Sequence, residues 1–264
     1  MEERSMRKKT IFITGASSGL GRQLAIDFSW EETVLCLFAR SQERLENVQR
    51  IVVENGGEAH IYPVDLADPQ SIDRSFAEAI SAVGVVDVLI NNAGYGVFEP
   101  FCDSQMDENE RMFRVNVFGL MRATAAVLPT MREQGSGHII NIASQAGKIA
   151  TAKSAIYSAT KHAVLGFTNS LRMELKGTGI HVSAVNPGPI QTPFFDQADK
   201  EGGYTSKVQR IMLDPEDVSE KIVQLTKKPK RELNLPWWMN IGATAYQVAP
   251  RLLELLAGKQ FRQK

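Results

Sequence analysis

The chain has 264 residues, 43% hydrophobic and 23% charged, with 30 basic residues against 30 acidic ones. That composition supplies a real core and argues against disorder, and a zero net charge argues against a dominant nucleic-acid binder. The two cysteines, Cys36 and Cys102, have neither metal-ligand spacing nor the number for a disulfide framework, so a reducing cytoplasm is the expected setting and no metal is expected.

The first ten residues carry mixed charge and lack the apolar core of a signal peptide. No window holds ~18 consecutive apolar residues. Short apolar runs at 10–14, 33–38, 59–64, 85–90, 138–142 and 180–185 read as strands. Helical stretches fill the gaps at 20–29, 41–55, 69–83, 106–134 and 155–176. Strands rich in Val, Ile and Leu without polar alternation are buried on both faces, as in a parallel sheet. Alternating strand and helix require right-handed crossovers. The expected fold is therefore α/β, a doubly wound parallel sheet of Rossmann type in one domain, with a C-terminal helical extension. The domain is placed at 8–235 with a lid loop at 189–213, and the extension at 236–264.

Thr14-Gly15-Ala16-Ser17-Ser18-Gly19-Leu20-Gly21 follows the first strand and opens the first helix. Glycines there let the backbone approach a pyrophosphate, and the helix start offers free N–H groups to an anion. Gly15 to Gly19 also satisfies G-x-S-x-G, the nucleophile elbow of hydrolases. That fold needs several strands before the elbow and a later acid–histidine pair. Only about ten residues precede this strand, and neither His162 nor His181 is placed for the role. About twenty residues on, where an acid would bind a ribose 2′-hydroxyl, the chain reads Phe38-Ala39-Arg40-Ser41. Arg40 suits a 2′-phosphate, which points to NADP(H) over NAD(H); a solvated surface arginine is the other reading.

Tyr157 and Lys161 stand four apart at the start of a helix and share one face. A nearby ammonium favours a phenolate, so Tyr157 is expected to have a lowered pKa and to act as a general acid/base. Such pairs also occur by chance. Ser144 follows the strand at 138–142, at the sheet edge where ligands of open α/β folds bind, and could hydrogen-bond the same carbonyl oxygen.

Taken in order, Thr14–Gly21, Asp65, Asn91-Asn92-Ala93-Gly94, Asn116, Ser144, Tyr157, Lys161, Pro187-Gly188 and Thr192 make the chain resemble a classical short-chain dehydrogenase/reductase. Ala39-Arg40-Ser41 resembles the NADP-preferring branch that includes 11β-hydroxysteroid-dehydrogenase-like enzymes. The resemblance covers residues 10 to about 195 and implies roles. Tyr157 would exchange the proton of a carbonyl–alcohol couple. Lys161 would lower its pKa and hold the nicotinamide ribose, and Ser144 would polarise the carbonyl. Asn116 would anchor a relay water. Gly15, Ser17, Ser18, Gly19, Leu20 and Gly21 would cradle the phosphates, Arg40 and Ser41 the 2′-phosphate, and Asp65 and Leu66 the adenine. Asn92, Ala93 and Gly94 would line the adenosine side, and Pro187, Gly188 and Thr192 the nicotinamide end. The cofactor would carry the hydride. The non-catalytic alternative is a dinucleotide-binding regulator.

Phe98, Phe101, Phe194, Phe195 and Tyr204 suggest a neutral, apolar carbonyl or secondary-alcohol substrate. Lys148 and Lys153 are the fixed charges in the segment 145–154 that borders the site. From Lys227 onward, eight Lys or Arg residues stand against two Glu. Trp237, Trp238 and an apolar stretch to Gly258 accompany them, and Pro250 is expected to split that stretch into two helices. This tail suits packing over the pocket or a second subunit, and less favourably an anionic membrane surface. A homodimer through the two long helices is expected.

Overall fold

The computed structural model describes residues 7–199, 202–251 and 255. Its centre is a seven-stranded parallel sheet in the order β3-β2-β1-β4-β5-β6-β7. The first half of the chain supplies β1 (Lys9–Thr14), α1 (Gly19–Phe28), β2 (Thr33–Ala39), α2 (Gln42–Glu54), β3 (Glu58–Pro63), α3 (Pro69–Val83) and β4 (Val88–Asn91). Then come α4 (Met106–Phe113), a π-helical segment (Arg114–Gly119), α5 (Leu120–Gln134), β5 (Gly137–Ile142), α6 (Ala155–Glu174) and β6 (Ile180–Pro187). The chain continues through α7 (Phe194–Ala198), α8 (Gly203–Val208), α9 (Pro215–Lys227), β7 (Glu232–Leu235) and α10 (Trp237–Val248). Among the described residues no helix is long and apolar enough to cross a membrane.

Side-chain alternation along each strand feeds two cores. Ile11, Ile13, Leu35 and Leu37 pack with Leu24, Phe28, Leu45 and Ile222 on one face. Phe12, Cys36 and Phe38 pack with Ile72, Phe76, Val127 and Leu171 on the other. Strands covered on both faces have no polar alternation to show, which is why their sequences read as continuous apolar runs. Phe38 stacks on Phe76 with centroids 4.3 Å apart and on Tyr62 at 5.2 Å. The strand order reverses between β1 and β4, and ligands of open α/β sheets bind at the carboxyl ends beside such a reversal.

Two elements depart from the sequence reading. The single helix expected over 106–134 is interrupted by the wider turn at Arg114–Gly119. There Gly119 packs so closely that a Cβ would come 2.6 Å from the Leu66 carbonyl oxygen. In the sequence only Asn116 and Gly119, weak helix formers within the stretch, mark that turn. The seventh strand was also missed. Glu-Leu-Asn-Leu is short and half polar, and follows a basic stretch. It is an edge strand recruited by pairing with β6 from Ala184↔Glu232 to Pro187↔Leu235. Near Pro250, α10 ends with Ala249 outside helical geometry, which agrees with the expected split. Of the expected second piece, 251–257, positions 252–254 and 256–257 lie outside the described residues.

Candidate active site

The cradle begins where β1 ends. Gly15 and Gly19 adopt φ of +67° and +52°, a region that disfavours side chains. The Thr14 hydroxyl accepts the backbone N–H groups of Asn92 at 3.0 Å and Ala93 at 3.1 Å, clamping the end of β4 to the end of β1. The Asn92 amide is used in the same clamp, donating to the Thr14 carbonyl at 3.0 Å. Ser18 stands at the N-cap of α1 without a side-chain capping bond, and the first turn holds no acid. The N–H groups of that turn therefore face the cleft at the positive end of the helix dipole, an arrangement that fits a pyrophosphate.

Gly21 does not line the cleft with the other glycines. It lies beneath the turn, where a Cβ would run into the Gly15 carbonyl and come 2.5 Å from the Asn92 amide nitrogen. Its work is to let the turn close. Gly21→Ala is expected to lower unfolding free energy by about 1–3 kcal/mol, read by thermal denaturation. A midpoint equal to that of wild type would contradict this packing.

Further along, Arg40 and Ser41 line the cleft where β2 passes into α2, and neither is an acid. Arg44, one turn into α2, also lines it and is exposed. Ser41 caps α2, accepting the Arg44 N–H at 3.4 Å. Asp65 accepts the Ala67 N–H at 2.9 Å and, through its other oxygen, Arg111 of α4 at 3.2 Å. Leu66, Asn92, Ala93 and Gly94 complete this wall.

At the other end, α6 brings Tyr157 and Lys161 into the cleft one turn apart, both buried. The Lys161 ammonium donates to the Ile142 carbonyl at 2.8 Å and stands 5.8 Å from the centre of the Tyr157 ring. Ser144, at the end of β5, accepts the Ala146 N–H at 3.0 Å and hydrogen-bonds Tyr157. Burial pushes the Tyr157 phenol up to about 12, opposed by the Ser144 hydrogen bond and reinforced by Tyr204. Burial also pulls Lys161 down to about 8. This is the reverse of the lowered Tyr157 pKa expected from sequence. The ammonium is spent on a backbone carbonyl, and desolvation of the ring outweighs it. At neutral pH the Tyr157 phenol therefore keeps its proton.

Asn116 sits in the π-helical segment and does not line the cleft. Its amide accepts the Tyr95 N–H at 3.0 Å and donates to the Tyr95 carbonyl at 2.8 Å and to Thr160 at 3.2 Å. It pins the loop after β4 to α6 and stands close to Lys161. A Cβ on Gly94 would stand 3.1 Å from the Asn116 oxygen and 3.6 Å from Lys161 Nζ.

Pro187, Gly188 and Thr192 line the cleft beside Ser144. The cleft has a volume of about 1380 Å3, above the ~300–1,000 Å3 of a small-molecule pocket and wide enough for an extended cofactor with a substrate. Phe98 and Phe194 pack against the Tyr157 ring with centroids at 5.8 and 5.6 Å, and Tyr204 meets Phe98 at 5.3 Å. Phe101 is instead exposed and outside this wall. Sequence reasoning passed over Arg44, Tyr95 and Arg111. The signal for Arg44 was its four-residue spacing from Arg40; the other two reach the cleft only through tertiary packing. Trp238 and Met239 of α10 also line the cleft.

The family model for the short chain dehydrogenases matches residues 9–202. An oxidoreductase of Staphylococcus aureus is 35% identical over 222 residues, covering 84% of this chain and 92% of that protein. A ketoacyl reductase of Nostoc is 38% identical over 182 residues, covering 69% of this chain and 63% of that one. A short-chain dehydrogenase from Streptomyces avermitilis superposes with a TM-score of 0.82 at 29% identity, covering 97% of each chain. The actinorhodin polyketide ketoreductase with NADPH superposes at 0.80 and 31% identity, covering 86% of this chain and 95% of that one.

Proposed function

The chain belongs to the short-chain dehydrogenase family, and from that membership we propose that it interconverts a carbonyl and a secondary alcohol with NADP(H), using Tyr157 as the acid/base. The observation that carries the reading is the meeting of Ser144, Tyr157 and Lys161 at one end of a cleft whose other end holds the α1 cradle and Arg40. The α1 cradle, Arg40 and the Lys161 end of the cleft would hold NADP(H), which would supply the hydride. In reduction Tyr157 donates its proton to the carbonyl oxygen, and the Ser144 hydroxyl steadies the charge developing there. Lys161 holds the wall behind the ring through Ile142. Arg40, with Arg44 one turn further on, gives the 2′-phosphate two guanidinium groups. Relatives solved with NADPH, NADP+ and NADP support that preference. Phe98, Phe194, Phe195 and Tyr204 suit a neutral, apolar substrate.

The phenol's raised pKa fixes the sign of the pH dependence. Reduction needs Tyr157 protonated, a state full at neutral pH and lost only as pH rises toward about 12. Oxidation needs the phenolate, whose fraction rises about tenfold per pH unit below the pKa. Alcohol oxidation is therefore expected to climb with pH across the neutral range while reduction does not. Measuring kcat in both directions from pH 6 to 9 checks this, and parallel profiles would contradict it. The test of the function itself is carbonyl-dependent NADPH consumption by the purified chain.

A further inference from the structure

Lys148 lies four residues beyond Ser144 and plays no part in the chemistry above. Its side chain is only 12% exposed. Its ammonium meets Glu232 at 2.5 Å and Asn234 at 2.8 Å, both on β7, and Asn240 at 2.8 Å on α10. Asn186, near the end of β6, donates to the same Asn234 oxygen at 2.9 Å and to Glu232 at 3.3 Å. The Lys148 backbone N–H bonds back to Gln145, closing the short turn that Ser144 caps. Gln145 in turn donates to the Asn186 carbonyl at 2.9 Å. One largely covered cation thus joins the Ser144 turn, β6, β7 and the helix that brings Trp238 and Met239 to the cleft. A largely covered lysine with three oxygen partners is costly to desolvate, and apolar residues of similar size would often serve stability as well. What apolar residues would not supply is a directional joint between these elements.

We propose that Lys148 is a positioning residue that locks the Ser144 turn to α10, so that the serine hydroxyl and the C-terminal wall of the substrate cleft form as one unit. The kinetic part rests on the oxidoreductase reading; the mechanical part does not. A substrate large enough to touch Trp238 and Met239 is then held against a wall registered to Ser144.

The test uses the full chain and two variants. Lys148→Met/Glu232→Leu removes both charges and leaves no stranded carboxylate. Asn240→Ala breaks only the link to α10. Amide exchange, NADPH affinity and steady-state kinetics with apolar ketones are measured on each. In the double variant, exchange is expected to quicken at both 144–148 and 237–248. Its kcat should fall about tenfold or more, since small misplacements at a reacting centre are costly, with NADPH affinity kept. Asn240→Ala should quicken exchange in 237–248 alone and raise the ketone KM with kcat kept. Wild-type exchange at 237–248 in the double variant would overturn the proposal. So would a general loss of protection with NADPH affinity and kcat falling together, which is the signature of a merely structural pair. A wild type silent toward every ketone would count against the oxidoreductase reading alone, because the exchange rates still decide the coupling.

Discussion

Tyr157→Phe is expected to reduce carbonyl turnover by about 10²–10⁴-fold, the usual contribution of a positioned acid or base. The substitution deletes one oxygen and keeps the ring, so the contacts with Phe98 and Phe194 survive. Folding and the cradle at α1 are untouched, and NADPH affinity should change by no more than a few-fold, the worth of one hydrogen bond. Turnover and NADPH titration on the same preparations separate these effects. A variant that retains the wild-type rate would remove Tyr157 from the chemistry. A variant that has lost NADPH affinity would move it from acid to binding residue.

The second large effect concerns the cofactor's phosphate. Arg40→Asp is expected to weaken NADPH binding by about 10–100-fold, the loss of a charge-assisted hydrogen bond of ~1.5–3 kcal/mol. NADH should be unaffected or bind better, because a carboxylate at that position can accept a ribose hydroxyl. Arg40 is exposed and forms the lip of the cleft rather than its floor, so the folded chain should tolerate the change. Arg44 remains in the variant and limits the loss; Arg40→Asp/Arg44→Ala should widen it. Equal losses for NADPH and NADH would contradict the assignment of Arg40 to the phosphate. The preference is expected to shrink with added salt, since both guanidinium groups lie at the solvent edge.

The inner sheet was legible because its strands are buried on both faces and so read as mostly apolar runs, such as Ile11–Ile13, Leu35–Phe38 and Val88–Ile90. Helix α3 was placed without error because Asp68 caps it and Pro69 occupies its first position. What stayed hidden depends on partners distant in the chain. The turn at Arg114–Gly119 follows from close packing against Leu66 and from the Asn116 bonds to Tyr95. Strand β7 exists because β6 offers an edge, and Lys148 finds its partners more than eighty residues away.

The candidate site divides the same way. Its residue types and their order were readable, and all but Gly21 and Asn116 of the positions assigned a catalytic or cofactor role border one cleft. The protonation state of Tyr157 was not readable. Spacing on a helix places Lys161 beside it, but burial and the Ile142 carbonyl determine what the ammonium does. Gly21 and Asn116 show a further limit of motif reading. Both belong to ligand-site patterns, and here both shape the site from beneath, one by closing a turn and the other by pinning a loop.

The most direct measurement is the consumption of NADPH, with NADH in parallel, when apolar ketones and aldehydes are added to the purified chain. Carbonyl-dependent turnover that prefers NADPH is the result expected of a site joining Arg40 to Tyr157. Absence of turnover with both cofactors, in a preparation that also fails to bind NADPH, would contradict it.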